Sequence, residues 1–233
     1  MQFVMLVRVD PDLPVPEDAD AGAWADEGER TGMRLAGQPA EGPETATVVR
    51  VRGGRTLVED GPALRQQERI AGFDVLQADD ADAAVAYAAT HPVAAFGALE
   101  VREVWEDFVT DAPTAQEPAE EGVDYLFVHV PDQELLVDAT REGTDPTAWV
   151  REVERRRVTL GGHRLRDEPE ASTVIRKRDG EVLVTRGPFA ELAEQIAGID
   201  LVRVADLDEA IALAAAHPTS HIGTIEIRPL VAA

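Results

Sequence analysis

"THPVAAFGALEVR" runs from Thr90 to Arg102, and "AHPTSHIGTIEIR" runs from Ala216 to Arg228. Both read as the end of a helix, a His-Pro pair, a small-residue turn, a Gly and a strand carrying E-x-R. Extending the comparison outward at the same offset matches about 27 of the 60 positions from Pro43 to Arg102, a self-similarity that marks a duplicated unit. Further upstream the register shifts slightly. Trp24 then aligns with Trp149 and Leu35 with Leu160, while Phe3-Val4-Met5-Leu6-Val7 aligns with Tyr125-Leu126-Phe127-Val128-His129. Between the copies, "FVTDAPTAQEPAEEG" at 108–122 is rich in Pro, Ala and acid, has no periodicity, and reads as a linker. The duplication is of a whole domain: a first copy at 1–107, the linker at 108–122 and a second copy at 123–233.

One copy spells an order of elements. "FVMLVRV" is a short apolar strand, and "DAGAWADEGERTGMRL" places acids early and apolar residues at helical spacing. "ATVVRVRGGRTLVED" alternates around Gly53-Gly54, and the second copy sets Asp179-Gly180 there, both tight hairpin turns. "AGFDVLQA" is a further strand. An Ala-rich helix follows, opened by Asp79 or Asp80 as N-cap and stopped by Pro92. In the second copy Asp206 and Glu209 have capping-box spacing. The order β-α-β-β-β-α-β predicts an α+β sheet with its helices on one face, the ferredoxin-like arrangement. Such a sheet leaves its second face apolar, so two copies in one chain are expected to bury those faces against each other as an intramolecular pseudo-dimer.

Composition bounds the chemistry. The chain has 233 residues and a net charge of −23, so nucleic acid and anionic membrane surfaces are not expected partners. There is no Cys, which removes thiol nucleophiles, disulfides and thiolate metal sites. The one lysine, Lys177, sits in the polar run "RKRDG", a poor setting for a desolvated Schiff-base amine. Phosphate-binding glycine loops, a G-x-S-x-G elbow and an H-E-x-x-H helix are all missing from the sequence. No apolar run reaches the roughly 20 residues that span a bilayer, and the N-terminus lacks a basic leader, so a cytoplasmic protein is expected. Catalysis, if any, falls to His, carboxylates, Arg, Tyr or hydroxyls.

The segment "VTRGPFAELAEQIAGIDLVRVADLDEAIALAAAHP" with "GTIEIRPL" (184–230) resembles the YCII-related domains, in the branch with a D-G-P-F signature. The resemblance covers both copies. It implies a ferredoxin-like fold of the dimeric α/β-barrel type, and implies little about reaction. In the wider family it implies a catalytic pair made by a His of the first helix and an Asp before the late Pro. Here the first helices carry Trp24 and Trp149, and His91 and His217 stand before the Pro. The signature itself is split. The first copy keeps Asp60-Gly61-Pro62 but has Ala63 and Arg65, and the second keeps Gly187-Pro188-Phe189 and Glu191 but has Arg186.

Candidate sites follow from these motifs. An imidazole at a helix C-terminus meets the negative end of the dipole, which favours its charged form. The functional alternative makes it a general acid or base. His217 and Glu191 are the catalytic candidates, with Arg186, Gly187, Pro188 and Phe189 as ligand-binding residues; His91, Asp60, Gly61 and Pro62 are the first-copy counterparts. Arg50 and Arg176 are expected to pair with local acids, and Trp24 and Trp149 to pack helix on sheet. Glu68, Glu194, Asp74 and Asp200 are duplicated carboxylates of weaker standing. Pro218 breaks the alignment of His217 with His221, so no metal is expected, nor any cofactor. The first functional reading is a small-molecule-binding or accessory protein with its site in the second copy, as a monomer or a dimer of such chains. The second is an acid–base enzyme (a lyase, isomerase or hydrolase) acting on a small organic acid or phenol, which a buried His217 facing a carboxylate would favour.

Overall fold

The computed structural model describes residues 1–10, 12, 14–16, 19–63, 68–110, 121–132, 146–187 and 196–232. The first copy contributes β1 (Gln2–Val9), α1 (Gly22–Thr31), β2 (Arg34–Pro39), β3 (Thr47–Arg52), β4 (Arg55–Asp60), β5 (Arg69–Gln77), α2 (Ala81–Ala88) and β6 (Ala98–Thr110). The second contributes β7 (Val123–Pro131), α3 (Pro146–Arg156), β8 (Thr159–Leu165), β9 (Ser172–Arg178), β10 (Glu181–Arg186), β11 (Gly198–Val204), α4 (Leu207–Ala216), α5 (Pro218–Ile222) and β12 (Gly223–Pro229). The chain is α+β, antiparallel and built twice.

Two compact units form, and they do not follow the two copies. One comprises Met1–Ala40, Gln66–Asp107 and Leu165–Phe189; the other comprises Glu41–Arg65, Phe108–Arg164 and Ala190–Ala233. In the first unit the strands run β2-β5-β1-β6-β9-β10, all antiparallel. In the second they run β8-β11-β7-β12-β3-β4. Each sheet therefore takes four strands from one copy and a hairpin from the other. The exchange has a packing reason: Leu99 of β6 stands opposite Ile175 of β9, and both are fully buried in the first core. Equivalently, Ile225 of β12 stands opposite Val49 of β3 in the second.

Local chemistry sets the element ends. Asp80 caps α2 by accepting from the Ala83 N–H at 2.8 Å, and Asp206 caps α4 by accepting from Glu209 at 2.9 Å. Glu209 closes the second half of the box one residue early, on the Ala205 N–H at 3.0 Å. Both hairpins turn through positive φ, +58° and +73° at Gly53-Gly54 and +52° and +84° at Asp179-Gly180. That geometry matches strand twist and explains the residue types.

Helices pack on the odd-numbered face of each first strand. Phe3, Met5 and Trp24 join the core of the first unit, and Tyr125, Phe127 and Trp149 that of the second. The even-numbered face is equally apolar and buried at Val4, Leu6, Leu126 and Val128. It also holds the E-x-R strands as buried ion pairs, Glu100 with Arg8 at 2.9 Å and with Arg102 at 3.4 Å, and Glu226 with Arg228 at 3.5 Å. No helix among the described residues is long and apolar enough to cross a membrane.

Candidate functional site

Three polar side chains converge on the helix-packed face of the second unit. His129 stands near the end of β7, Asp200 on β11, and His217 in the junction between α4 and α5. Strand parity places the first two: Phe127 pairs with Asp200 and Gly198 with His129, so both side chains share the face of the aromatic core. Asp200 Oδ2 lies 2.9 Å from His129 Nε2 and 3.4 Å from His217 Nε2. The two imidazoles lie 4.4 Å apart between centroids, and Trp149 meets His217 edge-on at 4.5 Å. Trp149 is itself fixed by its indole N–H, which donates to the Leu213 carbonyl at 3.1 Å.

Hydrogen bonding decides the protonation of His217. The Thr219 N–H donates to His217 Nδ1 at 3.1 Å, because His217 is the N-cap of α5. Nδ1 thus presents a lone pair, and the proton of the neutral ring lies on Nε2, 3.4 Å from Asp200 Oδ2. Burial pushes the His217 pKa down to about 4, with His129 adding to the effect and Asp200 opposing it. For Asp200, burial alone would raise the pKa. Contacts with His129 and His217 outweigh that and hold the carboxyl below the usual carboxylate range. His129 Nε2 lies closer, 2.9 Å from Oδ2, but neither imidazole makes an aligned hydrogen bond to that oxygen.

Two imidazoles and a carboxylate with ligand atoms within 4.8 Å also form a donor set for a divalent ion. The spacings of 2.9 and 3.4 Å suit the edges of such a site. The tautomer does not. With Nδ1 already accepting from Thr219, metal ligation through Nε2 would require an imidazolate. The cluster fits proton transfer better than ligation.

The first copy has the same frame with different contents. His91 is the N-cap of a short 3-10 turn and accepts from the Val93 N–H at 3.1 Å, and burial with Arg34 nearby lowers its pKa to about 4. Trp24 meets it edge-on at 4.6 Å. Asp74 takes the place of Asp200, but its partner is Arg34 at 2.7 Å, and burial raises its pKa to about 6 against that pairing. The position of His129 is Val7. Both pre-proline imidazoles are therefore neutral caps of the following turn, which corrects the charged, dipole-facing form expected from sequence.

The other expected site residues separate. Pro188, Phe189, Glu191 and Glu194 lie outside the described residues, as does Arg65. Arg186 belongs to the unit of His91, not that of His217. It is 76% exposed at its side chain and 3.8 Å from Asp82. Gly187, in that same unit, donates its N–H to the Ser172 carbonyl at 2.8 Å. The Asp60-Gly61-Pro62 loop shares the unit of His217, but its amides are occupied. Gly61 N–H donates to Ala46 at 2.8 Å, and Ala63 N–H to the buried Glu226 carboxylate at 2.8 Å. This loop is a structural dock. Arg50 pairs with Glu59 and Arg176 with Glu68, each at 2.5 Å.

Sequence reasoning missed His129. Its signal was present in the aligned strands, where a His stands on the inward face of "YLFVHV" opposite Val7 in the other copy. Asp200 was seen only as one carboxylate of four. A strand pairing that spans 71 positions, His129 to Asp200, is what brings them together.

The family model for the YCII-related domain matches residues 1–107 and again 123–232. The chain belongs to the YCII-related domain family. A curated relative in that comparison, an uncharacterized protein of Rhizobium meliloti (strain 1021), is 42% identical over 64 residues. The match covers 26% of this chain and 50% of the relative, so the chain spans about half the length of that relative. Both copies of this YCII-related chain set a Trp–His contact at the first-helix and pre-proline positions, Trp24 with His91 and Trp149 with His217.

Proposed function

We propose that this protein is an acid–base enzyme with one working site, in the second copy. His129 transfers the proton, Asp200 stabilises the imidazolium that results, and His217 is the second imidazole on that carboxylate. One observation carries the reading: the His–Asp–His convergence exists in the second copy, whereas the first has Val7 and an Asp74 neutralised by Arg34. A carboxylate beside an imidazole stabilises the imidazolium that forms when the ring takes a proton. His217, neutral and protonated on Nε2, supports Asp200 in its ionised form during that step. Gly198 leaves His129 Nδ1 unobstructed by a side chain from β11, since a Cβ there would lie 3.0 Å from that atom and 2.9 Å from the His163 carbonyl. Nδ1 is the atom offered to substrate. Abstraction of a proton beside a carbonyl leaves an enolate, and its return at another carbon completes an isomerisation without a redox partner.

The frame around this site is proposed to be a pair of ferredoxin-like halves in a pseudo-dimer of the dimeric α/β-barrel type. The strand order within each unit and the hairpin exchange support it. The substrate class is a small organic acid or phenol. The test is solvent deuterium incorporation into a panel of short 2-oxo acids, hydroxybenzoates and lactones, followed by NMR. Exchange by the natural protein and by His91→Gln, with loss in His129→Gln and Asp200→Asn, is expected. Saturable binding with no exchange in any panel member would favour the non-catalytic binding reading and overturn this one.

A further inference from the structure

We infer that Arg164 anchors the substrate of the second-copy site, holding the carboxylate of a short 2-oxo acid while His129 works on the carbon beyond the keto group. The inference rests on the acid–base reading above and names its substrate class. Gly198 of β11 is paired on one side with His129 of β7 and on the other with Arg164 of β8. Directly opposed residues of antiparallel strands share a face, so His129 and Arg164 flank Gly198 in one row, on the face that also holds Asp200. The row spans two strand spacings, about 10 Å between its outer Cα atoms. Its middle member has no side chain, which leaves a trough between imidazole and guanidinium.

The two ends of this row suit the two ends of such an acid. The His129 side chain is 12% exposed, whereas Arg164 lies at the exposed end. A carboxylate on Arg164 therefore stays at the solvent rim, and the carbon carrying the proton reaches inward to His129 Nδ1. Guanidinium and carboxylate match as a planar fork, which fixes direction as well as position. The proton passes to Nδ1 and the C–H electron pair goes to the keto oxygen, with the carboxylate unchanged. A chain of net charge −23 repels such an anion, so a cation beside the base is what lets it dock.

The first copy supplies an internal control. Its equivalent row is Val7, Gly72 and Pro39, paired across β1, β5 and β2. The glycine is kept there for close strand approach, since a Cβ would lie 2.9 Å from the Gln38 carbonyl. Both flanking residues differ. Val7 and Pro39 stand where the second copy has His129 and Arg164, so the imidazole and the guanidinium occur together, in the copy that has the His–Asp–His cluster. A residue that served the sheet alone would have no reason to change with the base.

Titration calorimetry and solvent deuterium exchange on the full chain, with 2-oxobutyrate and its uncharged primary amide, test this. The natural protein is expected to bind the acid and to exchange the protons beside its keto group. Arg164→Gln should weaken acid binding roughly tenfold to a hundredfold, raising KM with kcat little changed, while amide binding stays within about twofold. Arg164→Lys should recover part of the loss, because a point charge then replaces the fork. His129→Gln should keep acid binding and lose exchange. Acid binding that depends on Arg164 but brings no exchange would refute the acid–base reading and leave the anchor standing. Exchange that survives Arg164→Gln with an unchanged KM, equal loss for acid and amide, or a natural protein that does not bind the acid overturns the assignment of Arg164.

Discussion

Replacing His217 by glutamine is expected to reduce the acid sensitivity of the fold between pH 7 and pH 5. His217 has a native pKa of about 4 against an ordinary value of 6.5, so the native state binds fewer protons than the unfolded chain in that window. Stability contributed by the neutral ring is complete above about pH 6.5 and is lost as pH falls towards 4. With those two values the loss is about 2 kcal/mol at pH 5 and about 0.2 kcal/mol at pH 7. Asp74 runs the opposite way. Its pKa of about 6 lies above the ordinary value of 3.8, so it gains about 1 kcal/mol on the same acidification. His91 and Asp74 are common to both proteins, and their contributions cancel in the comparison. Glutamine keeps an acceptor for the Thr219 N–H and cannot titrate. Urea unfolding of both proteins at pH 7 and pH 5 gives the four free energies needed. The stability difference between natural protein and variant should move by about 2 kcal/mol in favour of the variant at pH 5. A difference that stays constant within about 0.5 kcal/mol would show that His217 is not held neutral by its surroundings.

His129→Val copies the first-copy residue into the second. It should abolish proton exchange and lower the melting temperature, because it takes from the buried Asp200 carboxylate the partner that most offsets its burial. Arg34→Ala strands the buried Asp74 and should cost about 3 kcal/mol at pH 7, with a smaller loss at pH 5 where Asp74 takes a proton. Urea titrations at the two pH values check it. Gly53→Ala with Gly54→Ala should destabilise by about 2 kcal/mol, since both positions have positive φ, whereas Asp179→Gly should be neutral or slightly stabilising. Added Zn²⁺ at micromolar concentration should leave the melting temperature unchanged, because His217 Nδ1 is held as an acceptor. A rise of several degrees that disappears in Asp200→Asn would refute the tautomer.

What the sequence determined by itself is what local and repeated chemistry can encode. The duplication, the two hairpin turns and the caps at Asp80 and Asp206 were all legible, because each is written in repeated or neighbouring residues. The order β-α-β-β-β-α-β was one strand short in each copy, since Arg34–Pro39 and Thr159–Leu165 follow the first helices as strands of their own. The excluded chemistry was legible too, since a chain without Cys cannot offer a thiol anywhere. The site was legible in part: His217 was named for its place before Pro218, but its state was read from the helix it ends and not from the turn it caps. Tertiary structure decided the rest. The hairpins left their own copies because the open edges of β6 and β12 had apolar residues that Ile175 and Val49 could cover. That regrouping put Arg186 in one unit and His217 in the other, and took the amide after Asp60-Gly61-Pro62 for Glu226. His129 and Asp200 met through the β7–β11 register, which is set by which face of each strand is apolar along its whole length. A single His in an apolar strand carries no sign of its partner until that register is fixed.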